Sequence, residues 1–120
     1  MQATFNLNGN IHTVKPSVKL KGVEAIHIKG KRWFQSSYGN TYHKAYISIL
    51  FNGVWKDIGE TSIHYGYGDQ YLTTAGEWLI ENGFIDSDQK SGYYVNRLNF
   101  EAIGITLSCD VQDVKRKRDM

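Results

Sequence analysis

Tyr42-His43-Lys44-Ala45-Tyr46-Ile47-Ser48-Ile49-Leu50-Phe51-Asn52-Gly53-Val54-Trp55-Lys56-Asp57-Ile58 is the stretch on which the fold depends. Its first ten positions are crowded with β-branched and aromatic residues, which fit a pleated, half-buried surface. Asn52-Gly53 follows, the dipeptide that best tolerates positive φ at both positions of a two-residue hairpin turn. Two antiparallel strands, 42–51 and 54–63, joined by that turn are therefore expected.

Upstream, Val23 to Ile28 and Lys31 to Tyr38 also read as extended, with Gly30 marking a bulge or bend between them. Gly39-Asn40 reads as a second tight turn, so three antiparallel strands follow. Downstream the period changes. Tyr71, Leu72, Ala75, Trp78 and Leu79 lie on one helical face. Asp69 can cap that helix and Gly83 can stop it, while Thr74 with Glu77 leaves a later start open. Asp86 to Gly92 reads as a polar loop and Tyr93 to Val95 as a short strand. Ile103, Ile105, Leu107, Cys109 and Val111 then alternate with Gly104, Thr106, Ser108 and Asp110, the mark of a half-buried strand.

The fold class expected is α+β, an antiparallel sheet of three to five strands with one helix packed on one face. Residues 21–112 form its single domain. Residues 1–20 are either a hairpin through Asn8-Gly9 or a partner-dependent arm, and 113–120 are a mobile basic tail. Two-residue turns fix which side chains share a face. Phe34, Ala45, Ile47, Ile49, Phe51, Val54 and Ile58 fall together beneath the helix stripe. Arg32 and Lys56 fall on the same side, an apparent flaw. The other face gathers Trp33, Tyr42, Lys44, Tyr46 and Trp55 with amides and hydroxyls, and Tyr46 sits over Gly59.

The chain has 120 residues, which suits one domain. Its only cysteine, Cys109, allows no internal disulfide and reads as a small buried residue in a reducing compartment. The N-terminus lacks a signal-peptide pattern, and no apolar run reaches the roughly 18 residues of a bilayer span, so a cytoplasmic location is expected. A net charge of +2 excludes acidic DNA mimics and strongly basic DNA packagers. The four histidines show no two-ligand spacing, so neither a metal nor a cofactor is expected. His43 with Asp57, or His64 with Asp69, would be the acid–base pairs to consider, and local hydrogen bonding is the simpler reading of each.

An exposed sheet face rich in flat rings and polar edges suits ring stacking. Tyr65-Gly66-Tyr67-Gly68 runs directly into the helix N-terminus, where unpaired N–H groups and glycines admit an anion. Trp33, Tyr42 and Tyr46 are the expected stacking rings, Lys44 the cation, and Tyr65, Tyr67 and Gly68 the loop wall. The basic clusters Lys29-Gly30-Lys31-Arg32 and Lys115-Arg116-Lys117-Arg118 would add salt-dependent attraction to phosphates. The same face would equally serve self-association or a protein partner.

The runs Gly30 to Gln35, Tyr38 to His43 and Tyr65 to Tyr71 resemble a pattern in small uncharacterised proteins of bacteriophages and prophages. The resemblance spans about the middle half of the chain and brings no catalytic residues with it. It implies a phage accessory protein acting in the host cytoplasm. The function expected is non-enzymatic binding of nucleic acid or a nucleotide. The alternative is a protein-interaction module, either a homo-oligomer or an inhibitor of a host defence protein.

Overall fold

The computed structural model describes residues 3–7, 10–87, 100 and 103–120. Strands β3 (Val23–Gln35), β4 (Asn40–Phe51) and β5 (Val54–Glu60) form the expected antiparallel array. The turn between β4 and β5 has Asn52 at φ 52° and Gly53 at φ 76°, the backbone that this dipeptide favours. A two-residue strand β6 (His64–Tyr65) continues along the same edge of β4, beyond β5.

Helix α1 (Gln70–Glu81) crosses one face. Its buried residues Tyr71, Ala75 and Leu79 meet Ile26, Ile28, Ala45 and Ile47, all buried. Asp69 occupies the N-cap position but its side chain makes no capping hydrogen bond, and the Thr74 hydroxyl bonds His43 instead of starting the helix. The helix ends as the sequence indicates. Gly83 has φ 76°, its N–H donates to Ile80 O (3.1 Å), and Phe84 N–H donates to Leu79 O (2.9 Å). Those two bonds satisfy carbonyls left orphaned by the helix end.

Two glycines let the helix lie close. A Cβ on Gly30 would come within 2.6 Å of the Tyr71 ring, and one on Gly59 within 2.2 Å of the Trp78 ring. Gly30 is thus neither bulge nor bend; it lies in register within β3 and makes room for an aromatic ring. The register shifts instead between Val23 and Ala25 at the start of β3, and between Ile47 and Ser48 of β4 and their partners on β5, Gly59 and Asp57. The second shift, a bulge, turns Gly59 toward the helix, away from Tyr46, and sets Glu60 opposite Tyr46.

The sheet is mixed, which corrects the wholly antiparallel expectation. Its order is β5-β4-β3-β8, with β8 (Thr106–Val114) parallel to β3. β8 begins beside Ala25, near the start of β3, and ends beside Trp33, so the two strands run the same way. A parallel neighbour cannot be reached through a tight hairpin, and here a long connection that includes α1 and β7 (Ile85–Ser87) separates β8 from β5 and β6. A second, smaller antiparallel sheet joins β1 (Ala3–Leu7), β2 (Asn10–Pro16) and β7. The first strands are therefore a hairpin tied to β7, and Asp86 and Ser87 are strand where a loop was expected. The expected strand 93–95 lies outside the described residues.

Three further expectations change. Phe34, Phe51 and Val54 are exposed, not core. A helix of 12 residues is about 18 Å long, while β3 with 13 residues extends about 43 Å, so both strand ends overhang. Cys109 is exposed because β8 is an edge strand. The C-terminal basic run ends in a short 3-10 turn (Lys117–Asp119), held where Lys31 Nζ donates to Asp119 O (3.2 Å), and is not a mobile tail. No described helix is long and apolar enough to cross a membrane.

Candidate functional site

Gln35 pairs with Asn40, so the β3–β4 connection is a four-residue turn over 36–39, with Gly39 at φ 70°. Relative to a two-residue turn, this shifts the pairing by four positions. An even shift preserves the faces, so Trp33 and Tyr42 still share the side away from the helix. They are now directly opposed, and their rings stack at 5.7 Å with planes 26° apart. On the other flank of β4, Tyr65 of β6 pairs with Tyr42, and the two rings meet edge to face at 5.8 Å. Three adjacent strands thus present three rings in a row. With Gln35, Ile63 and Lys117 they line an open groove of about 390 Å³.

Tyr46 and Lys44 lie on the same face with a different environment. The ammonium groups of Lys31 and Lys44 each sit 5.3 Å from the Tyr46 ring centroid. Lys44 also pairs with Glu60, which the bulge brings alongside, and that hydrogen bond raises its pKa above the ordinary lysine value. Tyr46 is therefore bracketed by cations, and Lys44 already carries a carboxylate. The cation at the groove itself is Lys117.

The loop after β6 passes around the sheet edge and separates the tyrosines. His64 pairs with His43 on the helix side, Tyr65 faces the open side, and Tyr67 and Gly68 return to the helix side. There they line a second groove of about 340 Å³ with Arg32, Phe34, Thr41, Asp113 and Val114. Gly68 contributes its carbonyl, which accepts from Arg32 Nη1 (3.2 Å). Arg32 also grips Asp113 through Nε (2.7 Å) and Nη2 (3.2 Å), and that bond raises the guanidinium pKa further. The apparent flaw of an arginine on the helix side is resolved by this triple contact.

Neither expected acid–base pair forms. His43 is buried between the Gly66 carbonyl (3.1 Å) and the Thr74 hydroxyl. A carbonyl only accepts, so Nδ1 carries the proton and Nε2 accepts from Thr74. Burial lowers the His43 pKa below its ordinary value, with the backbone bond opposing and nearby His64 reinforcing. His64 meets Ser62, and Asp57 accepts from Ser48 (2.7 Å). Among the described side chains, the histidine that meets a carboxylate is His27, bonded to Asp110 (2.8 Å) and Ser108 (2.7 Å), where it fastens β8 to β3. Among the described residues, no three His, Cys, Asp or Glu side chains gather to hold a metal.

Sequence reasoning missed Lys117 and Ile63 as groove residues, put Gln35 on the right face without naming it a binding residue, and placed Phe34 in the core. The signal for Lys117 was present in the basic run, but only the position of β8 shows that the run ends beside Trp33. No family model, no curated protein and no solved structure matches the chain.

Proposed function

We propose that the protein is a non-enzymatic binding module whose ligand is single-stranded nucleic acid or a nucleotide, held on the open face of the sheet. The observation that carries this reading is the row of rings from Trp33, Tyr42 and Tyr65, with an amide and an amine at its border. Bases stack on aromatic rings with little regard to sequence, each such contact contributing about 1–3 kcal/mol. Gln35 has both a donor and an acceptor for a base edge, and Lys117 a positive charge for a phosphate. A groove of about 390 Å³ is near the lower bound for small-ligand sites and suits one nucleotide unit. A phage accessory protein handling nucleic acid in a host cell is the context we favour.

The test is fluorescence anisotropy with a labelled oligothymidylate at low and moderate salt. Tyr42→Ala/Tyr65→Ala is expected to weaken binding at least about 10-fold, the equivalent of 1.4 kcal/mol. Lys117→Ala is expected to lessen the salt dependence by about one phosphate contact. Unchanged affinity in the tyrosine double variant would remove the proposal. A protein-interaction module remains the rival reading, supported by exposed rings outside the groove. Light scattering separates the two: an assembly that forms alone and ignores oligonucleotide favours the rival.

A further inference from the structure

The rings at the β3–β4 hairpin end lie on both sides of the sheet. On the open side, Trp33, Tyr42 and Tyr65 line the first groove; on the helix side, Phe34 and Tyr67 line the second. Phe34 is 57 % exposed, Tyr65 65 %, Tyr67 75 %, and Tyr38 at the turn between the grooves 75 %. Neighbouring residues on a strand point to opposite faces, so Trp33 and Phe34 aim into different grooves. The same alternation separates Thr41 from Tyr42. The two sets of rings thus stand on opposite faces of a single sheet.

The basic run lies beside both grooves. β8 ends at Val114, which pairs with Trp33 and lines the second groove, and three residues later Lys117 lines the first. Lys115, Arg116, Lys117 and Arg118 therefore pass from one groove to the other around the sheet edge. The carboxylate in the second groove, Asp113, is already paired with Arg32.

Two aromatic grooves placed back to back, with cations running between them, match a ligand that divides in two. We propose that the hairpin end is a wedge for nucleic acid at a point where paired strands diverge. One arm stacks on Trp33, Tyr42 and Tyr65, and the other on Phe34 and Tyr67. Lys115, Lys117 and Arg118 meet the phosphates near the branch, while Arg116 is held by Asp119 (3.6 Å). Apolar side chains that part stacked bases are an established device of nucleic-acid binding. A frayed or branched site lowers the cost, since its terminal bases are already unpaired. The inference rests on the proposed nucleic-acid reading and narrows it from any single strand to a fork.

The experiment compares three labelled DNAs at one salt concentration: a single strand, a blunt duplex, and a Y-shaped fork of the same strand length. 2-Aminopurine at the first unpaired position of either arm reports stacking on that arm. The wild type is expected to bind the fork at least about five-fold more tightly than the single strand, roughly 1 kcal/mol, and to alter the fluorescence of both arms. Phe34→Ala/Tyr67→Ala changes only exposed side chains. It should abolish the fork preference and the fluorescence change of one arm, while the other arm's fluorescence change persists. Equal affinity for fork and single strand overturns the wedge and leaves the simpler reading standing. So does a fork preference that survives Phe34→Ala/Tyr67→Ala. Absence of binding to all three DNAs overturns both.

Discussion

Gly59 and His43 show how much of this fold rests on single atoms. Gly59 has ordinary backbone angles, so what forbids a side chain there is the Trp78 ring beneath it. Gly59→Ala is expected to cost about 2 kcal/mol through overpacking, which lowers the melting temperature by roughly 6–12 °C. Gly39→Ala has open space around its Cβ and should cost less, through its φ of 70° alone. Thermal melts of the two variants side by side decide the matter. His43 is held neutral in its site, because burial lowers its pKa below that of a free imidazole. The unfolded chain therefore takes up a proton before the folded one does. Stability contributed by this ring is fully present above the unfolded value, falls as pH drops below it, and levels off once the folded ring protonates. Urea midpoints at about pH 7.5 and about pH 5.5 should decline more in the wild type than in His43→Gln, which lacks the titrating group.

Among the elements, Arg32 connects β3, β8 and the turn that leads into α1. Replacing it with alanine unfastens Gly68 and Asp113 together. A double-mutant cycle with Asp113→Ala is expected to assign only about 0.5–1 kcal/mol to the ion pair, because Asp113 is 73 % exposed. The single Arg32→Ala change should exceed that figure, since it also strips the Gly68 carbonyl. The hairpin through Asn52-Gly53, its pairing as far as Ser48 with Asp57, and the helix with its Gly83 stop were legible because local chemistry decides each. The bulge was not legible. Its only sign is Gly59, whose purpose depends on Trp78 arriving from elsewhere in the chain. The turn over 36–39 was misjudged because Gly39-Asn40 resembles a tight hairpin dipeptide, whereas Gly39 alone takes positive φ. The site was half legible for the same reason. Strand alternation placed Trp33, Tyr42 and Tyr46 on one face, but no periodicity describes a loop, and Tyr65 parted from Tyr67 at the sheet edge. The direction of β8 depends on its first residue arriving beside Ala25, a long-range placement that residue patterns do not prompt.

At the scale of the whole molecule, β3 and β4 are interior to the larger sheet, and β5 and β8 are its borders. Amide hydrogen exchange is expected to be slowest at Ile26, Ile28, Ala45 and Ile47 and faster along β5 and β8. Equal protection across all four strands would contradict the strand order.

The parallel strand has a consequence for birth of the chain. Ser108 and His27, which bond across β3 and β8, are 81 residues apart. At roughly 5–20 residues per second, synthesis of that interval takes roughly 4–16 s. Throughout it, the long flank of β3 waits with its amides and carbonyls bare, a template for any neighbouring nascent chain. A message cut short before codon 106 would yield a polypeptide with most of its interior and a sticky margin, suited to aggregate rather than to fold.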